Sequence, residues 1–333
     1  MKVFKPSYYD SFRCLAEKCP DSCCKEWEVE IDPQSAACYR NLSGALGERL
    51  RQVMREDHQW GTVMTIEHGR CPMWRDDGLC QIQAELGHDA LCKTCRDFPR
   101  ISHDYGDFQE WGLELSCPEA ARLILSAENR AFIAEEAPAT EAPEYDKEAM
   151  GILLESREFA LDLLKNTAYT VPQALTLLLY YGYHTQSLLD GAETIDFDTK
   201  AALQSAEDFA LPGGEADLLS FFNTLEILTP KWQARLIQPL SPAPWQNTFR
   251  NLACYFIERY WLQAVSDYDL ISRVKFTVVS CLVIRLLGGD LLSTAQLYAK
   301  EIENSTENVD ALLDATYSHP ALTDRRLLGL LLS

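Results

Sequence analysis

The sequence lacks a long hydrophobic run. Its longest apolar stretch, Val278 to Leu287, is short and contains Arg285, whereas a membrane-spanning helix needs about 20 apolar residues. The N-terminus, Met1 to Pro6, has charges but no apolar segment behind them, which predicts that no secretory signal peptide is present. We therefore expect a cytoplasmic protein without a membrane partner.

Positive charge is also scarce. Lys and Arg number 30 against 50 Asp and Glu, and the formal net charge is −20. Nucleic-acid-binding proteins usually carry a basic face, because contacts to phosphate supply most of their affinity. The composition argues against a nucleic-acid partner. The acidic charge has two interpretations: it keeps the protein in solution, or it steers a lysine-rich substrate towards it.

Several common catalytic loops are missing. The pairs Gly213-Gly214 and Gly288-Gly289 are not part of a G-x-G-x-x-G dinucleotide fingerprint. The sequence contains neither a P-loop nor the G-x-S-x-G turn of α/β-hydrolases. It also lacks the C-x3-C-x2-C spacing common in radical enzymes, to which Cys19-x3-Cys23-Cys24 is the nearest approach.

Cysteine, by contrast, is abundant and unevenly distributed. Ten of the twelve cysteines lie between Cys14 and Cys117, and only Cys254 and Cys281 follow, inside apolar predicted helices. Secreted disulfide scaffolds are usually small and rich in cysteine throughout. Clustering at one end of a chain without a secretion signal favours metal ligation in a reducing compartment. We expect the two late cysteines to be small buried hydrophobes.

Two cysteine blocks support the metal hypothesis. They read Cys14-x4-Cys19-x3-Cys23-Cys24 and Cys71-x8-Cys80-x11-Cys92-x2-Cys95, with Cys117 further along. Thiolates are soft ligands that select zinc, copper(I) or iron–sulfur clusters. Four of them complete a closed zinc site or a fully ligated cluster.

The spacing separates these metals only in part. Structural zinc usually takes pairs spaced by two to four residues, and Cys92-x2-Cys95 has no matching second pair. We therefore favour an iron–sulfur cluster and keep zinc as the alternative. The side chains of adjacent Cys23 and Cys24 tend to diverge, so either one of them packs or the two serve different sites. Cys38, alone in a predicted helix, is expected to be buried.

The patterns predict a mainly α protein in two parts: a small mixed, cysteine-rich metal-binding module over residues 1–130, and an all-helical domain over 145–333. In the module, alternating polarity predicts a strand from Trp27 to Ile31, and apolar spacing predicts one helix from Pro33 to Val53. Another helix is predicted from Leu113 to Ala127. The Pro-, Ala- and Glu-rich segment 134–144 is typical of a linker.

The second part repeats apolar residues at intervals of three and four. Its predicted helices cover 149–164, 173–189, 215–228, 246–265 and 270–287, and three shorter helices follow Ser293, Val309 and Thr323. The helix over 270–287 is apolar on nearly all sides, which predicts a central buried helix.

Three motifs make the sequence similar to a known family. They are Phe12-x-Cys14-x4-Cys19-x3-Cys23-Cys24-x2-Trp27, Cys71-Pro72-x7-Cys80-x14-Cys95-x2-Phe98-Pro99-Arg100 and Ser116-Cys117-Pro118-Glu119. On these residues the chain resembles the flagellin lysine N-methyltransferase (FliB-type) family, within a wider group of cysteine-rich zinc- or iron-chelating proteins. Softer matches lie in the helical half, at Tyr255-x4-Tyr260 and Asp267-x-Asp269-x4-Val274-Lys275-Phe276.

The resemblance implies an enzyme that uses S-adenosylmethionine to methylate lysine side chains of flagellin, or of another lysine-bearing protein, and that carries a [4Fe-4S] cluster. The implied metal ligands are drawn from eight cysteines: Cys14, Cys19, Cys23, Cys24, Cys71, Cys80, Cys95 and Cys117. Cys38 and Cys92 lie outside that pattern.

Two roles for the cluster stay open. In one, an open iron binds the methionine moiety; in the other, the cluster is structural and the helical domain binds cofactor and substrate. The sequence identifies no catalytic base and no residue that binds S-adenosylmethionine, and it leaves the oligomeric state undetermined. The alternative function is a non-catalytic iron- or zinc-binding or redox protein.

Overall fold

The computed structural model describes residues 1–25, 28–58, 60–128, 131–138, 144–193 and 196–333. Helices make up 57% of the described residues and strands 11%, so the predicted mainly α class, with a mixed cysteine-rich N-terminal part, is confirmed. Within the described ranges, no helix combines the length and the hydrophobicity needed to cross a bilayer.

The strands of the described residues form two small sheets. Their bounds are β1 Lys2–Pro6, β2 Val29–Glu30, β3 Met54–Asp57, β4 Gly61–Met64, β5 Arg100–Asp104, β6 Phe108–Leu113 and β7 Phe132–Glu136. The first sheet has the order β5-β6-β1-β7, in which β1 runs parallel to β6 and antiparallel to β7. The second sheet is antiparallel, in the order β2-β4-β3.

The α-helices are concentrated in the second half of the chain. Their bounds are α1 Pro33–Asn41, α2 Gly44–Val53, α3 Gln81–Leu86, α4 Lys93–Asp97, α5 Pro118–Leu125, α6 Lys147–Lys165, α7 Val171–Leu189, α8 Thr199–Phe209, α9 Glu215–Phe222, α10 Pro230–Leu236, α11 Thr248–Tyr260, α12 Leu270–Leu287, α13 Leu291–Glu301, α14 Thr306–Ser318 and α15 Asp324–Leu332.

The N-terminal half departs from the sequence prediction at two helices. The single helix expected from Pro33 to Val53 is wrong: α1 and α2 are separated at Leu42 and Ser43, which are extended, and Gly44 takes a φ of +83° that glycine tolerates without strain. The helix expected from Leu113 begins only at Pro118, because Leu113 ends strand β6.

The predicted strand and linker are each confirmed only in part. The strand expected from Trp27 is the two-residue β2, and Trp27 lies outside the described residues. The segment 134–144 was predicted to be a linker, yet its first residues belong to β7, an exposed strand that pairs with β1. Residues 139–143 lie outside the described part.

The helical half follows the predicted periodicity closely. The helices α6, α7 and α12 match the expected ranges, and every residue of α12 except Arg285 is buried, as its uniform hydrophobicity predicts. Helix α7 begins at a capping box in which Thr170 and Gln173 each bond the other's backbone N–H. The expected helix over 215–228 stops at Phe222, and α8 and α10 were not predicted.

Buried apolar side chains form two clusters. The larger cluster joins the helical half to α5 and to the first sheet, and it includes Phe12, Leu113 and Cys117. The smaller cluster is built from residues between Val29 and Cys92 and contains α1, α2 and β4 side chains. The cysteine-bearing loops therefore lie between a small local core and a large shared one.

Candidate metal centre

A cavity of about 430 Å³ lies where the cysteine-bearing loops meet the helical half. Five of the predicted ligands line it: Cys14, Cys19, Cys23, Cys95 and Cys117. Apolar side chains such as Phe12 and Phe98 form part of the wall, and Lys300 closes it from the side of α13. Folding thus gathers cysteines from both sequence blocks around one cavity.

Asp21 attaches the first cysteine loop to helix α13. Its Oδ2 accepts hydrogen bonds from Gln296 Nε2 and Lys300 Nζ, both at 3.0 Å, and Gln296 Nε2 also donates to the Ser116 carbonyl at 2.8 Å. Burial opposes ionisation of Asp21, but Lys300 and the Ser22 backbone N–H outweigh it and lower the pKa of the carboxyl. One helix thereby positions the loop of Cys19 and Cys23 beside the segment of Cys117.

A buried polar network holds the segment before Cys117. The hydroxyl of Tyr255 accepts the Leu115 N–H at 3.3 Å and donates to Glu303 at 3.0 Å. The hydroxyl of Tyr260 donates to Glu303 at 2.9 Å, and Arg259 Nε lies 3.2 Å from the same carboxylate. The Tyr255-x4-Tyr260 motif therefore supports the backbone that carries Cys117.

The other motif of the helical half is structural as well. Asp269 begins α12 by accepting the Ser272 N–H, and Asp267 pairs with Arg273 at 2.8 Å. The buried Lys275 ammonium lies 2.9 Å from Asp324. A helix cap and two ion pairs account for these three motif residues.

Several cysteine sulfurs accept hydrogen bonds from backbone N–H groups two or three residues further along the chain. The Ala16 N–H donates to Cys14 Sγ at 3.4 Å. The same arrangement occurs at Cys19, Cys71, Cys80, Cys92 and Cys117. Burial has the larger effect and raises the pKa of Cys19, Cys71, Cys80 and Cys117, while the backbone hydrogen bonds oppose that rise. Bonds of this kind also tune metal-bound sulfur. The donor set is therefore chemically suited to a soft metal.

Two pairs of thiols bond to one another. The hydrogen bond between Cys23 and Cys24 raises the pKa of Cys23 and lowers the pKa of Cys24 to about 7. A bond between Cys92 and Cys95 likewise lowers the pKa of Cys92 and raises that of Cys95. Within the described part of the chain, no three His, Cys, Asp or Glu side chains already surround one point as metal ligands do. Metal binding would require these thiols to rotate towards a shared centre.

The remaining cysteines take distinct positions. Cys24, Cys71 and Cys80 pack with the smaller core, and so does Cys92, which the family motifs leave out. The C-x2-C spacing to Cys95 was the available signal for Cys92. Cys38 is exposed, so the expectation of burial was wrong: on α1, Ala36 and Tyr39 face the core instead.

Cys254 and Cys281 are fully buried, as predicted. Burial raises the pKa of the Cys281 thiol, in keeping with an inert apolar side chain.

The chain is similar to curated proteins from Salmonella. It is 32% identical over 130 residues to the flagellar biosynthetic protein FliU of Salmonella muenchen, a match that covers 37% of this chain and 77% of FliU. It is 31% identical over 130 residues to the lysine-N-methylases of Salmonella typhimurium and Salmonella choleraesuis, and here the match spans only 32% of each relative. No protein-family model and no solved structure matches the chain.

Proposed function

Because this chain belongs to the family of the flagellar biosynthetic protein FliU, we propose that it is an S-adenosylmethionine-dependent methyltransferase acting on lysine side chains of flagellin. Similarity to two lysine-N-methylases supports the reaction. The observation that carries the proposal is the cavity between the cysteine-bearing loops and α13, whose volume of about 430 Å³ lies in the range of small-molecule sites.

The cysteines that line the cavity fit the metal centre of this proposal. Cys14, Cys19, Cys23 and Cys117 would hold a [4Fe-4S] cluster, since all four lie at the cavity and three of them accept backbone N–H bonds at sulfur. Such a cluster would supply a redox-active iron centre when it is bound.

The charges around the cavity suit a neutral lysine amine. Arg13, Arg96, Arg100 and Lys300 contribute to its lining and outnumber its two carboxylates, those of Asp21 and Glu119. Positive neighbours and apolar walls both disfavour a protonated ammonium, whose reference pKa is about 10.4. The lining therefore promotes release of the lysine proton to solvent and leaves a nucleophilic nitrogen.

The same cations suit the methyl donor. The methionine moiety of S-adenosylmethionine carries a carboxylate, for which an arginine guanidinium is a strong partner. With donor and amine aligned in the cavity, the nitrogen lone pair forms a bond to the methyl carbon as the carbon–sulfur bond breaks. The sulfonium leaves as a neutral thioether. Alignment of the two reactants is the main contribution of the protein.

The test is methyl transfer to purified flagellin. The protein is purified without oxygen and incubated with flagellin and methyl-labelled S-adenosylmethionine, and labelled lysines are identified by mass spectrometry. We expect label with the unmodified protein and with Cys38→Ser, whose thiol is exposed and away from the cavity. Cys117→Ser should lose the label, since Cys117 lines the cavity.

Two results would contradict the proposal. Label that persists in both Cys117→Ser and Cys19→Ser would remove the cavity from the reaction. Metal-loaded protein that binds no S-adenosylmethionine and transfers no methyl group would instead support a non-catalytic metal or redox protein.

A further inference from the structure

We infer that the adjacent residues Cys23 and Cys24 belong to two different metal centres, and that Cys24, Cys71, Cys80 and Cys92 form a closed zinc site separate from the cavity. The first centre is the cavity site on which the proposed function rests. The second centre stands on the geometry of the smaller core and does not depend on methyl transfer.

Backbone pairing brings three of the four residues together. The Cys71 N–H donates to the Cys24 carbonyl at 2.7 Å, beside an antiparallel bridge between Lys25 and Arg70. A second bridge, between Trp74 and Cys80, folds the chain back so that Cys80 returns towards Cys71. The chain is thus folded so that sulfurs from distant positions share one region.

The cysteine side chains lie near one another in the same region as this backbone pairing. Cys71 is close enough to Cys24, Cys80 and Cys92 to interact with them electrostatically, and Cys80 interacts in the same way with Cys24 and Cys92. Cys71 and Cys92 are buried in the smaller core, against which the half-buried Cys24 and Cys80 pack. Four thiols therefore lie in one apolar region, where side-chain rotation would bring them to a common point.

The Cys23 thiol bonds to the Cys24 thiol but lies on the side of the cavity. It lines the cavity and has Cys14 and Cys117 as neighbours after Cys24. Cys95 lies at the border, since it lines the cavity while its thiol bonds to Cys92. The consecutive cysteines thus point to two groups of sulfur, one open to a cavity and one enclosed.

The enclosure of these four cysteines indicates which metal they would bind. Structural zinc takes four thiolates in tetrahedral geometry with no open position, whereas a reactive centre keeps a position accessible. Backbone N–H groups of Met73, Gln83 and Cys95 donate to sulfurs of the enclosed group, as the outer hydrogen bonds of a structural metal site do. The enclosed group therefore suits a single zinc ion with a structural role.

Metal analysis of two variants tests the partition. Protein purified without oxygen is assayed for zinc, iron and sulfide, with Cys38→Ser as the matched control. We expect Cys80→Ser to lose about one zinc per chain while it keeps iron, sulfide and the visible absorption. Cys19→Ser should show the opposite pattern. Loss of every metal in both variants would mean one shared centre and would overturn the inference.

A measurement on the unmodified protein guards against misfolded variants. X-ray absorption at the zinc edge should show four sulfur neighbours at about 2.3 Å. Absence of zinc, or a zinc with nitrogen or oxygen neighbours, would contradict the enclosed site. Because zinc is read directly, the inference survives if the protein transfers no methyl group, and it fails if iron alone is found in an active enzyme.

Discussion

The helical half and the cysteine-rich half bury their side chains by different means. In the helical half, α12 is buried along its length and large residues such as Trp232, Trp261 and Phe256 are fully enclosed. In the cysteine-rich half, the smaller core includes the thiols of Cys71 and Cys92 among its buried members. Between Cys71 and Pro99 the helices are only the short α3 and α4.

This difference suggests where each half obtains its stability. Long helices supply contiguous apolar surface, and its burial stabilises them without a ligand. Short loop-rich segments bury less and commonly depend on metal ligation or disulfides. The described cysteines form no disulfide, so the comparison predicts that metal binding contributes to the stability of one half and not the other.

The largest expected effect is that of metal removal. Structural zinc contributes about 10 kcal/mol or more to the folding of small domains, so a chelator should expose amides in residues 60–100 while α7 and α12 stay protected. Hydrogen exchange followed by mass spectrometry, segment by segment, measures this. Restored protection after zinc is returned is the control, and equal loss in both halves would contradict the comparison.

The next effect concerns the joint between the halves. Arg157 on α6 makes two hydrogen bonds to Glu110 on β6, at 2.7 and 2.6 Å, and its side chain is only 4% exposed. Arg157→Ala leaves a buried carboxylate unpaired and should lower the free energy of unfolding by about 3–5 kcal/mol. Urea denaturation measures the change.

An exposed pair provides the matched control. Lys147 Nζ on α6 lies 3.2 Å from Asp107, and the two side chains are 79% and 63% exposed. Lys147→Ala should therefore cost less than about 1 kcal/mol. The double variant Arg157→Met with Glu110→Leu should recover most of the lost stability, because it removes both buried charges. Equal costs for Arg157→Ala and Lys147→Ala would show that the joint is not stabilised by burial of the pair.

The smallest effect is a pH dependence within the cysteine-rich half. Asp32 accepts the Lys93 N–H at 2.8 Å and the Ser35 N–H at 2.9 Å. The bond from Lys93 has the larger effect, and together the two bonds lower the pKa of the Asp32 carboxyl to about 2. The unfolded value is about 3.9. Because the folded pKa is the lower one, this stabilisation is present above about pH 4 and is lost as the pH falls towards about 2.

Substitution of Asp32 tests that dependence. Asp32→Asn should lower the free energy of unfolding at neutral pH by about 1 kcal/mol, because an amide oxygen accepts the same N–H groups less strongly than a carboxylate does, and the difference from the unmodified protein should shrink as the pH falls through about 2. Urea midpoints across this range measure it. The control is Asp290→Asn, at the cap of α13 in the helical half. Hydrogen exchange of the Lys93 amide should be unchanged in this variant. A pH-independent difference for Asp32→Asn would rule out the carboxylate as its source.

The sequence predictions are more accurate for the helical half than for the cysteine-rich half. Long helices are encoded by local apolar repeats, whereas the cysteine-rich half depends on contacts between distant residues. The helices α6, α7 and α12 were predicted because their apolar repeats lie within one element. The first sheet was not predicted, since β1 pairs Lys2 with Phe108 and with Glu136, and no local pattern encodes such distant partners. The break at Gly44 was missed because the apolar spacing continues across it.

The sequence alone determined the mainly α class, the positions of the long helices and the excess of thiols in the first part of the chain, because periodicity and composition are local properties. Only the tertiary structure decided which sulfurs lie together. Cys117 is brought beside Cys19 by Gln296 on α13, which bonds both Asp21 and the Ser116 carbonyl, and Lys300 adds a second bond to Asp21. Cys92 joins Cys71 and Cys80 through burial in a shared core. Such neighbourhoods arise from contacts between residues far apart in the chain, and spacing between cysteines does not encode them.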